Sequence, residues 1–199
     1  MDYTLTPAST GTFNLKVAAG VVGNIGVAEL DSGSTTATQG PQVQYDGLAV
    51  LAAAGRKIGF ETRLKVVDSA TGPEFFAGLS KKDLAILDTS AMASTDVCAF
   101  SSITDNNVFL MITEDGGTPG NAATSPHTLV EDTYVKLGFL IDGLDTVTVY
   151  VDGVVTDVGA FTPEISATEA MMPTLICQSG GSSVDPLLNI DWFKVGTYA

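Results

Sequence analysis

Two neighbouring runs of alternating apolar residues, between residues 134 and 155, most constrain what this chain can form. The first run alternates apolar Val135, Leu137, Phe139 and Ile141 with Tyr134, Lys136, Gly138 and Leu140. The second run alternates Val147, Val149 and Val151 with Thr146, Thr148 and Tyr150. Because successive side chains of a strand point to opposite faces, each run predicts a strand with one apolar face. Turn formers follow each run, at 142–145 and at Asp152-Gly153, which is typical of antiparallel hairpins. An apolar face shared by two strands requires a second layer to cover it.

The same alternation predicts strands along most of the chain. In residues 57–67, apolar positions alternate with Lys57, Glu61, Arg63 and Lys65, a pattern that favours an antiparallel sheet with one solvated face. Further strands are predicted at 13–17, 42–45, 74–79, 97–104, 108–113, 172–178 and 187–198. In the last of these, the alternation places Leu188, Ile190 and Trp192 on one face. Residues 48–51 are expected to be extended, with the start of a helical turn at 49–54 as the alternative. Helix is limited to one or two short turns, near 80–84 and 164–170.

Strands at hairpin spacing, without strand–helix alternation, predict an all-β fold with two antiparallel sheets packed as a sandwich of the jelly-roll type. No repeat or interior linker divides the chain, so we expect a single sandwich domain at 13–199 after an N-terminal arm at 1–12. A chain of 199 residues buries roughly 70% of its unfolded surface on folding, so it needs no metal ion or disulfide to stabilise the fold. Cys98 and Cys177 are therefore interpreted as small buried hydrophobes, with a disulfide as the alternative.

The charge balance restricts the partners. Nine Lys and Arg against 23 Asp and Glu give a net charge of −14. Phosphate backbones and anionic membrane surfaces would be repelled by such a chain, so neither nucleic acid nor membrane is an expected partner. No basic stretch followed by an apolar one marks a signal peptide, and the apolar runs are too short to span a bilayer.

Residues for catalysis are sparse. A Ser-His-Asp catalytic triad would have to use His127, the sole histidine, which the sequence places in a loop. Glycoside hydrolysis needs two carboxylates flanking one sugar bond. Glu61 is followed on its face of the strand by cations. Asn189 and Asp191 share a face but lack a third acidic partner. Glu114 and Asp115 lie in a turn, where adjacent side chains diverge. We therefore expect no enzyme, no catalytic residue and no cofactor.

Two weaker binding patterns remain. Asp142, Asp145 and Asp152 could suggest calcium, but Asp is common in β-turns because its side chain bonds the local backbone, so no metal site is predicted. Sugar binding requires exposed aromatic residues, for which Tyr134 and Tyr150 are candidates. Tyrosines paired across strands are equally ordinary packing, so the sequence leaves the binding residues open.

Several segments of the chain are similar to a known family. FETRLKV, EFFAGLSKKD, DNNVFLMITEDGG, TYVKLGFLIDGLDTVTVYVDGVV and LLNIDWFKVG, in this order, resemble a concanavalin A-like jelly roll. More closely, they resemble small jelly-roll proteins encoded among the virion genes of tailed bacteriophages. The likeness runs from about Lys57 to the C-terminus, and Tyr134 stands where that family often has Trp.

The resemblance implies a virion structural protein that decorates or cements the capsid exterior by docking on the major capsid protein. Many copies, as homo-oligomers such as trimers, would add weak contacts into firm binding. Residues 1–13 and the strand at 108–113, apolar on both faces, are the expected contact surfaces. The alternative is a lectin-like module that binds glycans on a virion surface, and a tail or fibre component is a third reading.

Overall fold

A computed structural model describes most of the chain. The described residues are 4–8, 12–16, 27–33, 39–67, 74–82, 86–88, 91–92, 96–102, 107–113, 120–121, 126–144, 146–156, 165, 167–179 and 185–198. These residues form strands and turns, and none of them is helical. No helix among them is long and apolar enough to cross a membrane.

Two antiparallel sheets contain almost all of the strands. The first has the order β1-β4-β16-β6-β9-β10-β11, with β12 also paired to β10. Its strands are β1 (Thr4–Ala8), β4 (Gly40–Gln44), β6 (Glu74–Ser80), β9 (Val97–Ser102), β10 (Asn107–Thr113), β11 (Gly120–Asn121), β12 (His127–Thr128) and β16 (Met172–Gln178). A small separate hairpin joins β7 (Leu87–Asp88) to β8 (Ala91–Met92).

The second sheet has the order β15-β14-β13-β5-β17-β3-β2. Its strands are β2 (Thr12–Lys16), β3 (Val27–Asp31), β5 (Lys57–Val67), β13 (Val135–Asp142), β14 (Thr146–Val151), β15 (Val154–Thr156) and β17 (Leu187–Tyr198). The two alternating runs at 134–155 thus form the hairpin β13-β14, as predicted. Asp152 and Gly153, with φ of 51° and 81°, form the two-residue turn that joins β14 to β15.

The main core lies between the sheets. The apolar positions of β5, β13 and β14 point into it, as their alternation predicts: Ile58, Phe60, Leu64, Val66, Val135, Leu137, Phe139, Ile141 and Val149 are all buried. Phe60 and Phe139 are directly opposite in register, with stacked rings whose centroids are 5.2 Å apart. From the first sheet, Phe100 packs its ring 5.8 Å from that of Phe139.

The outer faces of the two sheets differ. On the first sheet, Phe76, Ala99 and Ile176 form a second buried cluster with Ile86, which lies in the connection after β6. The main-chain N–H of Ile86 donates to the Gln42 side chain of β4, 3.1 Å away, which ties this connection to the sheet. Apart from Gly138, which is buried, the outer positions of β5, β13 and β14 are partly buried or exposed, so the open face is that of the second sheet.

The structure corrects predictions near both ends of the chain. Residues 1–12 were expected to be an arm, but Thr4–Ala8 form β1 at the edge of the first sheet, paired with β4. An edge strand can be held by backbone hydrogen bonds without alternating apolar side chains, and it tolerates a proline such as Pro7. The hydrophobic pattern of residues 4–8 therefore did not predict a strand. Trp192 was expected on the face of Leu188 and Ile190. A β-bulge between Ile190 and Trp192 inserts one residue, which moves Trp192 to the outer face, opposite Arg63.

The two cysteines are free and buried, as interpreted from the sequence. Cys177 is aligned with Phe75 on β6, and Cys98 with Leu79 on the other side of the same strand. Four residues along a strand correspond to roughly 13 Å, far beyond disulfide reach. Burial raises the pKa of both thiols above the ordinary range, with Asp31 and Asp185 adding to the rise at Cys177.

Candidate functional site

A trough of about 730 Å³ lies on the open outer face of the second sheet. Its floor consists of three glycines on adjacent strands. Gly59 of β5 is paired with Gly196 of β17, and Gly138 of β13 lies one row away, opposite Glu61. Without side chains at Gly59 and Gly196, the ring of Tyr198 lies close to the backbone of the sheet, and Gly138 is buried beneath the side chain of Glu61.

Aromatic and aliphatic side chains form the walls of the trough. The ring of Tyr198 lies over Gly59 and Gly196. Tyr150 is paired with Gly138, and Leu140 with Gly59. A Cβ atom built on Gly196 would lie 3.3 Å from the hydroxyl oxygen of Tyr198. The side chain of Tyr198 is 60% exposed, so its ring is available to a ligand.

The polar lining consists of three charged side chains. The Lys57 ammonium forms an ion pair with Asp142 at 2.9 Å, and this hydrogen bond and charge raise the pKa of Lys57. Lys194 pairs with Glu61 at 3.8 Å. The trough therefore offers tyrosine faces, a lysine ammonium at each of two positions and one carboxylate, a set that suits a ligand with both apolar faces and hydroxyl groups.

A row of cations and aromatic rings borders the trough. Lys194 Nζ lies 4.3 Å from the centroid of the Trp192 ring, and the Arg63 guanidinium lies 4.1 Å from that of Tyr134. Arg63 also forms a short ion pair with Asp191. These contacts cover the Tyr134 ring with a cation, so it is less accessible to a sugar than the ring of Tyr198.

The structure brings together only part of the predicted binding set. Tyr150 lines the trough, whereas Tyr134 lies in the bordering row. Sequence reasoning missed Tyr198 and the three glycines. Gly59 and Gly138 could be placed on the outer face by alternation, but their proximity to Gly196 depends on which strands pair.

The turn aspartates do not share a site. Asp142 and Asp152 lie at opposite ends of β14, about 20 Å apart at strand spacing, so they cannot hold one ion. Asp152 instead accepts a hydrogen bond from the Lys136 main-chain N–H at 3.0 Å. Asp145 lies outside the described residues. Among the residues described, no group of three His, Cys, Asp or Glu is arranged to hold a metal.

Other sequence candidates lie away from the trough. His127 was expected in a loop, but it is half-buried in β12, opposite Val108. This strand consists of only two residues, which are paired through the backbone, so it is too short to show a side-chain pattern. On β10, Val108, Leu110 and Ile112 point into the core. The side chains of Phe109 and Met111, proposed as a docking face, lie outside the part of the chain that the structure describes, as do Glu114 and Asp115.

No protein-family model and no curated protein matches the sequence. Solved structures do match. The carbohydrate recognition domain of Emp47p superposes with a TM-score of 0.60 at 10% identity, covering 96% of this chain and 90% of that one. The potassium-bound carbohydrate recognition domain of Emp46p gives 0.59 at 9% identity, covering 97% and 87%. An alginate lyase from Corynebacterium sp. gives 0.55 at 13% identity, covering 86% and 77%.

The chain has a concanavalin A-like jelly-roll fold. At these identities the likeness establishes the fold alone, and the fold serves carbohydrate recognition domains as well as a lyase.

Proposed function

We propose that this protein is a non-enzymatic carbohydrate-binding module whose site is the trough on the outer face of the second sheet. The observation that carries the proposal is the trough that Tyr150 and Tyr198 form over Gly59, Gly138 and Gly196. Its volume of about 730 Å³ is within the range of small-molecule sites. The shared fold with carbohydrate recognition domains supports the proposal.

The chemistry of the lining matches a saccharide. A pyranose ring has apolar C–H faces that pack against a tyrosine ring, and its hydroxyl groups donate and accept hydrogen bonds at its edges. The glycines let Tyr198 and Glu61 lie low over the sheet, which leaves the volume of the trough to the ligand. The charged side chains at the rim provide partners for the hydroxyls. Tyr198 and Tyr150 would supply the apolar contact, and Glu61, Lys57 and Lys194 the polar contacts.

A binding role is favoured over glycoside hydrolysis by the number of acidic side chains in the trough. Among the described residues that line the trough, Glu61 alone has a carboxylate. Most glycoside hydrolases use two, about 5–10 Å apart. Incubation with a saccharide that binds should therefore leave its chain length unchanged, as measured by mass spectrometry, and shortened products would contradict the non-enzymatic role.

A glycan array tests the binding itself. The wild-type protein should bind a defined set of saccharides, and Tyr198→Ala should lose that binding. Because Tyr198 is 60% exposed, its truncation should change the free energy of unfolding by only about 0.5 kcal/mol. Tyr134→Ala is the matched control, since it removes a tyrosine outside the trough. An array without binding, or loss in Tyr134→Ala but not Tyr198→Ala, would exclude the trough.

The proposed setting for this activity follows from the sequence resemblance: the exterior of a bacteriophage virion, with homo-oligomers docked on the major capsid protein. The strongly acidic composition fits docking on a basic surface. Mass spectrometry of purified particles tests the location, because a capsid position predicts hundreds of copies. A handful of copies would indicate a tail component, and failure to sediment with undecorated capsids would contradict capsid docking.

A further inference from the structure

We infer that Glu61 makes the trough selective for uncharged saccharides over saccharides that bear carboxylates. The inference rests on the proposed function and names the ligand class of the same site. It depends on the position of the Glu61 side chain, on the partners already held by the nearby cations, and on the charge of the whole chain.

Glu61 extends over the floor of the trough. It is directly opposite Gly138 across β5 and β13, and a Cβ atom built on Gly138 would lie 3.4 Å from Glu61 Cγ and 3.6 Å from its Cβ. Its side chain is 40% exposed. A ligand on the glycine floor would therefore touch this side chain.

The carboxylate of Glu61 retains capacity to accept hydrogen bonds. Its ion pair with Lys194 has an N–O distance of 3.8 Å, longer than a hydrogen bond. An ionised carboxylate accepts only, through about four lone-pair positions. Hydroxyl groups of a neutral sugar can donate to it, whereas a second carboxylate has no proton to donate and carries the same charge.

Both lysines that line the trough already have partners. Lys57 holds Asp142 at 2.9 Å, and Lys194 is shared between Glu61 and the Trp192 ring. In the bordering row Arg63 forms an ion pair with Asp191. An acidic ligand would have to compete with these carboxylates, and it would also approach a chain with a net charge of −14.

The experiment compares matched ligands by isothermal titration calorimetry. The pairs are cellotetraose with β-1,4-linked tetraglucuronate, mannotetraose with tetramannuronate, and tetragalacturonate with its carboxyl-reduced form. For the pair that binds, the wild-type protein should prefer the neutral member by about tenfold or more, as expected for like charges at close range. Glu61→Gln keeps the shape and removes the charge, so it should reduce that preference to about threefold or less.

Asp132→Asn is the matched control, because it removes one carboxylate from an exposed turn outside the trough and should leave the preference unchanged. A wild-type preference for the uronate, or a preference unaltered by Glu61→Gln, would overturn the inference while saccharide binding still stood. Absence of binding to every member of all three pairs, together with an empty glycan array, would overturn both the inference and the proposed function.

Discussion

The ring edge of Tyr198 lies over Gly59: its Cε2 atom is 3.4 Å from the point that a Cβ on Gly59 would occupy. The two residues belong to β17 and β5, and Gly59 is paired there with Gly196. Any side chain larger than a methyl group at Gly59 would therefore enter the space beside the tyrosine ring. The width of the trough depends on the absence of that side chain.

Gly59→Val should abolish saccharide binding without unfolding the protein. The backbone of Gly59 does not have a positive φ, and valine is favoured in strands. The midpoint of thermal unfolding should therefore stay constant or rise. Binding should weaken by at least tenfold in calorimetry, since the isopropyl group fills the floor. Thr148→Val, on the same face but outside the trough lining, is the control. Unchanged binding by Gly59→Val would remove the floor from the site.

Phe139→Ala should destabilise the sandwich by about 3–5 kcal/mol, because a large aromatic side chain leaves a cavity in the core. Phe139 is buried between Phe60 and Phe100, one ring from each sheet. Urea denaturation measures the effect. Val155→Ala, at a position 60% exposed, should change the free energy of unfolding by less than about 0.5 kcal/mol. A similar small change for Phe139→Ala would contradict the packing described between the sheets.

Alkaline pH should weaken the fold through the two cysteines. Burial raises the pKa of Cys98 and Cys177, so the folded state keeps both thiols protonated, whereas the unfolded thiols ionise from about pH 8.5. Stability is therefore fully present below that pH and falls as pH rises above it, with a slope approaching about 1.4 kcal/mol per pH unit for each cysteine.

Urea denaturation in reductant at pH 7.5, 8.5 and 9.5 measures this slope. The variant with Cys98→Ala and Cys177→Ala should be less stable at every pH but should show a shallower decline, because the remaining lysines and tyrosines titrate in both proteins. Equal slopes in the two proteins, or rapid reaction of the folded wild type with a thiol reagent at pH 7.5, would show that the thiols are accessible.

Local alternation predicted the sheets better than it predicted the site. The faces of β5, β13 and β14 follow from a period of two, because one face is buried and the other is not. The same reasoning failed at Trp192, since a bulge inserts one residue without a marker in the sequence. It also gave no signal for β1, an edge strand held by backbone pairing.

The trough could not be assembled from the sequence because its residues meet only through long-range pairing. Gly59 and Gly196 are far apart in the chain and become neighbours because β17 pairs with β5. Tyr150 joins them through β14 and β13. Strand order and register of this kind depend on the whole core, which a local pattern does not specify.

Amide chemical-shift mapping tests the central claim most directly. The ¹⁵N-labelled protein is titrated with the oligosaccharide that binds most strongly on the array. We expect the largest shifts at the backbone amides of Gly59, Gly138, Gly196 and Tyr198, with little change in the first sheet. Shifts centred on the first sheet or on the loops, or an unchanged spectrum with every saccharide, would contradict a carbohydrate site on this face.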